Sequence, residues 1–228
     1  MRIMRYLDSL NEKQKEAVLH TDGPLLIVAG AGAGKTKTLT HRIIHLIHQG
    51  INPESILAVT FTNKAAKEMK ERVMGLLGER ESGNAPELRS GAPFVSTFHS
   101  LGVYIIKENS HLIGLNKYFT IIDENDALSI IKTIMKNRDI DPKQHEPRKI
   151  KSIISKSKGD FITIESYSES ANNGFQSIVA MIWRDYEAQL KKEKALDFDD
   201  LLLQTVLILK KYPEIKQHYR EKWKYVHI

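Results

Sequence analysis

The chain has 228 residues, 41% hydrophobic and 27% charged, enough for one large or two modest globular domains with a real core. It has no cysteine, which excludes a disulfide framework and a thiolate metal site and points to a reducing, cytoplasmic setting. No apolar run reaches membrane-span length and the N-terminus lacks the apolar block of a secretory signal, so no membrane partner is expected; the net charge of +6 favours polyanions instead.

In chain order, LLIVAG (25–30) is an apolar run ending in Gly and predicts a buried parallel strand. KTKTLTHRIIHLIHQG follows it, with Leu39, Ile43, Leu46 and Ile47 at helical spacing and Gly50 as the stop. ILAVTF (56–61) predicts a second buried strand. Asn63 is then expected to cap a helix whose apolar side is Ala66, Met69, Val73, Leu76 and Leu77, closing at Gly78. Residues 79–93 are rich in Gly, Pro, Ser and charge and read as a loop.

FVSTF (94–98) resumes the strand pattern. From about 110 to 195 the character is mostly helical, with amphipathic runs at 126–138, 147–158 and 176–193. Between Lys132 and Lys158 stand nine Lys/Arg against three Asp/Glu. They read either as solvated helix faces or as a surface that meets nucleic-acid phosphates. LDFDDLLLQTVLILKKYP (196–213) predicts another helix, and WKYVHI returns to strand. Strand–helix alternation implies an α/β fold, a parallel sheet interrupted by a helical insertion, with divisions at 1–109, 110–195 and 196–228.

Between the first strand and the first helix stands AGAGAGKT, made of Ala29, Gly30, Ala31, Gly32, Ala33, Gly34, Lys35 and Thr36. A strand turning through glycines into a helix aims backbone N–H groups and the helix dipole at one point, which suits a phosphate. Lys35 supplies an ammonium for the β- and γ-phosphates and Thr36 a hydroxyl for Mg²⁺. Ala29 occupies the first glycine position of the usual pattern, so that position does not need a Gly-only backbone angle. The motif implies a nucleoside triphosphate without saying what it drives.

LNEKQKEAV (10–18), AGAGAGKT, AVTFTNKAAKEM (58–69), VSTFHSLG (95–102), FTIIDENDALSIIK (119–132) and LDFDDLLL (196–203) follow one another as in UvrD/Rep/PcrA-type superfamily I DNA helicases, which the chain resembles over essentially its whole length. The resemblance implies a RecA-like P-loop sheet with a helical insertion, ATP and Mg²⁺ as cofactors, and single-stranded DNA and single/double-strand junctions as partners. It implies that Gln14 reads adenine, that Lys35 and Thr36 hold phosphate and magnesium, and that Thr60, Phe61, Thr62, Asn63 and Lys64 hold DNA together with Thr97, Phe98 and His99. Aromatic faces stack with bases whatever the sequence, and Asn, Thr and a helix N-terminus bind the backbone. Lys37 stands where the family usually has Arg, which lies better against an adenine ring.

YFTIIDEND (118–126) looks like a Walker B strand ending in Asp123 and Glu124, but the family's acidic box lies further on, and Asp126 is expected to cap the next helix. His41, His45 and His48 share a helical stripe, read as a solvent-facing or half-buried polar face rather than a metal site. In the family a strand like KYVHI leads directly into the acidic box. The expectation is therefore the N-terminal piece of a longer 3′–5′ helicase acting in repair or replication, not catalytically competent without its second motor domain. A non-motor P-loop enzyme such as a kinase with a helical lid, and a nucleic-acid-binding module with a vestigial loop, remain the alternatives.

Overall fold

Asn11 and Gln14 form a reciprocal capping box that starts α1 (Glu12–Leu19). The computed structural model describes residues 5–78 and 91–228, so most of the loop expected at 79–93 lies outside the described residues. The chain divides into two compact units, Met1–Phe98 with Gln217–Ile228, and His99–Lys216.

In the first unit α2 (Lys35–His48) buries Ile43, Ile44 and Leu46 against Ile56 and Ala58 of β1 (Ile56–Thr60) and Met69, Val73 and Leu77 of α3 (Asn63–Gly78). Thr62, not Asn63, caps α3: its hydroxyl accepts from Ala65 N at 3.1 Å and its carbonyl from Ala66 N at 3.0 Å. Asn is the slightly better cap by type, so the chain's exit from β1 overrides that local preference.

Both edges of β1 carry parallel neighbours, β2 (Phe94–Thr97) on one side and β5 (Tyr225–His227) on the other. Leu57 aligns with Phe94 and with Val226, and Thr60 with Thr97. Parallel strands in this register release Phe61 and Phe98 at the same end of the sheet.

The strand expected at 25–30 does not form: no strand is assigned there, and Leu26 and Val28 are 85% and 86% exposed. Apolar composition supplies a preference but not a ladder. With both edges of β1 taken, a strand here would need the outer edge of β5, whose three residues offer few bonds.

In the second unit α4 (Phe98–Glu108) lies against α9 (Phe198–Lys211). A Cβ on Gly102 would stand 2.6 Å from the Leu201 carbonyl oxygen, so only glycine permits this approach. Ile106, Phe119, Leu196, Leu201 and Ile208 form one core cluster. The helices that flank residues 110–195 thus share a core cluster with each other.

Two-residue strands β3 (Thr120–Ile121) and β4 (Ala195–Leu196) pair in parallel. A second cluster packs Ile131 and Met135 of α5 (Glu124–Asn137) with Ile150 and Ile154 of α6 (Pro147–Gly159). Ile182, Trp183 and Tyr186 of α8 (Gly174–Glu193) complete it. Two further helices, α7 (Ile164–Ser170) and α10 (Pro213–Lys222), are polar and lacked a clear apolar period.

Candidate nucleotide and nucleic-acid site

The loop before α2 is held by its own side chains. Lys35 Nζ donates to the carbonyls of Ala29 and Gly30, both at 2.8 Å, and Ala33 N closes a turn onto Gly30 O at 3.3 Å. Gly34 is left-handed at φ 82°, a backbone angle that favours glycine, and a Cβ there would stand 2.8 Å from Gln14 Nε2, so any other residue would also displace the Gln14 amide. Ala29 is not among the left-handed residues, which fits its replacing a glycine. A 14-residue helix N-terminus, one ammonium and the Thr36 hydroxyl make a donor set that fits a triphosphate with Mg²⁺. Bound Mg²⁺ would neutralise phosphate charge there.

Gln14 sits beside this loop. Its Nε2 donates to Ala33 O at 3.1 Å and its Oε1 accepts from Asn11 N at 3.1 Å. Each end keeps one further hydrogen-bonding capacity, enough to address an adenine edge. Lys37 Nζ donates to Ser9 O at 2.6 Å, tying the N-terminal turn to α2.

Lys35 and Thr36 line one cleft, of about 800 Å³, together with Thr60 and Phe61. Phe61 is 80% exposed, and its ring centroid lies 5.3 Å from that of Phe98. Thr62, Asn63 and Lys64 are exposed at the start of α3. Thr97 is not presented in the same way: it is only 5% exposed, buried together with its neighbour Ser96 at the end of β2.

His99 is half-buried, with the Phe198 ring edge-on at 5.8 Å. Sequence reasoning passed over Phe198, although an aromatic between capping aspartates was the available signal. It also passed over Arg42, which is buried on the cleft wall and donates to Ala17 O at 2.9 Å.

Asp123 is engaged elsewhere. Its side chain caps α5, accepting from Asn125 N at 2.7 Å and Asp126 N at 2.9 Å, so Asp123 is the cap and Asp126, the third residue of the helix, its capping-box partner. The histidine stripe is more buried than expected. His41 Nδ1 lies 2.7 Å from Lys37 O and His45 Nδ1 lies 2.8 Å from the Tyr6 hydroxyl, both buried, whereas His48 stays exposed with Tyr6 stacked on it at 4.5 Å. Among the described residues no group of three or more His, Cys, Asp or Glu could hold a metal ion.

The basic cluster is also reduced. Lys158 is buried on three carboxylates, Arg138 pairs with Asp185 and Lys151 lies 3.9 Å from Asp199. Lys132, Lys136, Lys143, Arg148, Lys149 and Lys156 remain at the surface.

A glycine-rich loop opening a helix, and an aromatic pair where two parallel strands end, define an α/β protein of the P-loop class. The model of the UvrD/REP helicase N-terminal domain matches residues 10–228, and the chain belongs to that family. It is 44% identical over 223 residues to the ATP-dependent DNA helicase PcrA of Bacillus subtilis (strain 168), covering 97% of this chain and 29% of that protein. It is 41% identical over 229 residues to PcrA of Leuconostoc citreum, covering 100% of this chain and 30% of that protein. A Staphylococcus epidermidis PcrA is 43% identical over 221 residues, covering 96% and 29%. The chain thus spans about 30% of the length of the curated relatives it matches.

Proposed function

We propose that this chain is the ATP- and single-strand-binding N-terminal part of an ATP-dependent DNA helicase that moves 3′ to 5′ along one strand. One observation carries the reading: the phosphate-loop residues Lys35 and Thr36 and the aromatic ledge at Thr60 and Phe61 line a single cleft. A change at the nucleotide can therefore be felt at the DNA through one wall. Lys35 and the loop 29–34 hold the phosphates, Thr36 holds Mg²⁺, and Gln14 and Lys37 lie at the base. Thr60–Lys64, Phe98 and His99 hold the strand, with Thr97 acting as backbone support.

The surface lysines of the second unit suit duplex at a single/double-strand junction. The working enzyme pairs this part with a further motor domain that closes over ATP, in the cytoplasm. Because transition-state charge must be met from several sides, the 228 residues alone are expected to bind both ligands without unwinding. The kinase reading is weaker, since Asp123, its available acidic group, is spent on a helix cap.

The test titrates a fluorescent ATP analogue with Mg²⁺ into the chain, with and without oligo(dT). Nucleotide affinity should change several-fold with DNA, and Lys35→Ala should abolish nucleotide binding while leaving DNA binding within about two-fold. Affinities for the two ligands that ignore one another would overturn the reading.

A further inference from the structure

We propose that Lys158 is a positioning residue for the DNA-facing edge of the second unit, holding Asp197 and Asp200 so that the N-terminus of α9 keeps the Phe198 ring against His99. The inference rests on the reading of His99 as a DNA contact for its purpose, though not for its geometry.

The lysine side chain is 1% exposed, and its Nζ reaches Asp197 Oδ2 at 2.9 Å, Asp200 Oδ1 at 2.7 Å and Glu187 Oε1 at 2.8 Å. The two aspartates are also the capping box of α9. Asp197 Oδ1 accepts from Asp200 N at 2.8 Å, and Asp200 Oδ2 accepts from Asp197 N at 3.2 Å. Each carboxylate therefore spends one oxygen on the helix start and the other on the ammonium. Phe198, the first residue of α9, lies between them in the chain; it is 51% exposed and edge-on to His99 at 5.8 Å. A capping box works without a buried cation, as Asn11–Gln14 does at the surface of this same chain. The buried lysine is thus more than the helix start requires. What it adds is an anchor tying α9 to α6 and α8.

Two carboxylates buried on one ammonium, with the partly exposed Glu187 beside them, favour keeping a proton on one of the pair. The groups facing one another are Lys158 from α6, Tyr186 and Glu187 from α8, and Asp197 and Asp200 from α9, with Lys151 and Asp199 at the rim. Tyr186 donates its hydroxyl to Asp197 Oδ2 at 3.0 Å. Burial pushes Asp200 up to about 7, with Lys158 pulling against it and Asp197 and Glu187 adding to the rise. The centre therefore holds a proton below neutral pH and releases it above, and the extra negative charge then strains the anchor.

The readout is the ring-to-ring nuclear Overhauser effect between Phe198 and His99 in the 228-residue chain. The Trp183 indole N–H, which donates to Glu187 at 2.9 Å, serves as a marker that the unit is folded. Lys158→Met should abolish the effect, and adding Asp200→Asn, which removes one stranded charge, should restore much of it. In the unsubstituted chain the effect should weaken as pH rises from 6 to 9, and Asp200→Asn should make it independent of pH. This second arm decides the matter if Lys158→Met fails to fold. Persistence of the effect in folded Lys158→Met, or its indifference to pH in the unsubstituted chain, would overturn the proposal. Oligo(dT) affinity measured on the same variants should fall several-fold whenever the effect is lost. If affinity stays constant while the effect is lost, the positioning role stands and the assignment of His99 to DNA fails.

Discussion

The rings of Phe61 and Phe98 meet at 5.3 Å between centroids and 46° between planes, although the residues are separated by a helix and the residues that follow it. Each directly follows its strand, and the alignment of Thr60 with Thr97 brings them together. The pair forms an aromatic ledge whose outer ring is open to solvent. Base–aromatic stacking contributes about 1–3 kcal/mol per base. Phe61→Ala should therefore weaken oligo(dT) binding about ten-fold or more in a fluorescence-anisotropy titration. Its thermal unfolding should change little, because an exposed ring adds little to the core.

Lys37→Arg should tighten ATP binding, but only by a few-fold. The present ammonium is held by one hydrogen bond to the Ser9 carbonyl, worth about 1 kcal/mol, and a guanidinium can keep a polar contact while laying its plane on a base. A fluorescent-nucleotide titration measures the difference, and unchanged affinity would count against a ring contact at this position.

Gly102→Ala should destabilise the second unit by about 1–3 kcal/mol, the range for overpacking a close contact. The new methyl would sit 2.6 Å from the Leu201 carbonyl oxygen, a backbone atom that cannot swing aside. Urea unfolding followed through Trp183, which lies in this unit, is the direct measurement. A midpoint equal to that of the unsubstituted chain would show that α4 and α9 separate easily.

Acid should weaken the first unit through buried histidines. Burial, with Arg42 adding, lowers His227 to about 4, while a backbone bond at Leu57 opposes the shift. Burial likewise lowers His41 and His45. A folded-state value below the unfolded one means that the unfolded chain takes up protons first. This stability is therefore complete above about pH 6.5 and drains away as pH falls toward 4. His227 alone accounts for about 2 kcal/mol at pH 5. Trp223 lies in this unit, so melts of a Trp183→Phe variant at pH 7 and pH 5 isolate the loss, and His227→Leu should reduce it.

Helical periods were legible because the deciding residues are neighbours in sequence, whereas the caps of α3 and α5 fell on Thr62 and Asp123 rather than on Asn63 and Asp126. Leu39, Ile43 and Leu46 announced α2, and the phosphate loop declared itself because Gly34, Lys35 and Thr36 act within one turn. The strand run at 25–30 was misread for the opposite reason: a strand exists only if a distant segment pairs with it, and composition carries no information about whether the edge of β5 suffices. Thr97 read as a ledge residue, but the packing around the end of β2 buries it together with Ser96.

By itself, then, the sequence determined the main amphipathic helices and the phosphate-binding turn, since these arise from interactions a few residues apart. The tertiary structure alone decided which aromatics meet, that Lys158 is an anchor rather than part of a basic surface, and that Gln14 and Lys37 are engaged with the loop and the N-terminal turn. Those outcomes depend on burial and on pairing between residues tens of positions apart, whose free energies no local pattern encodes.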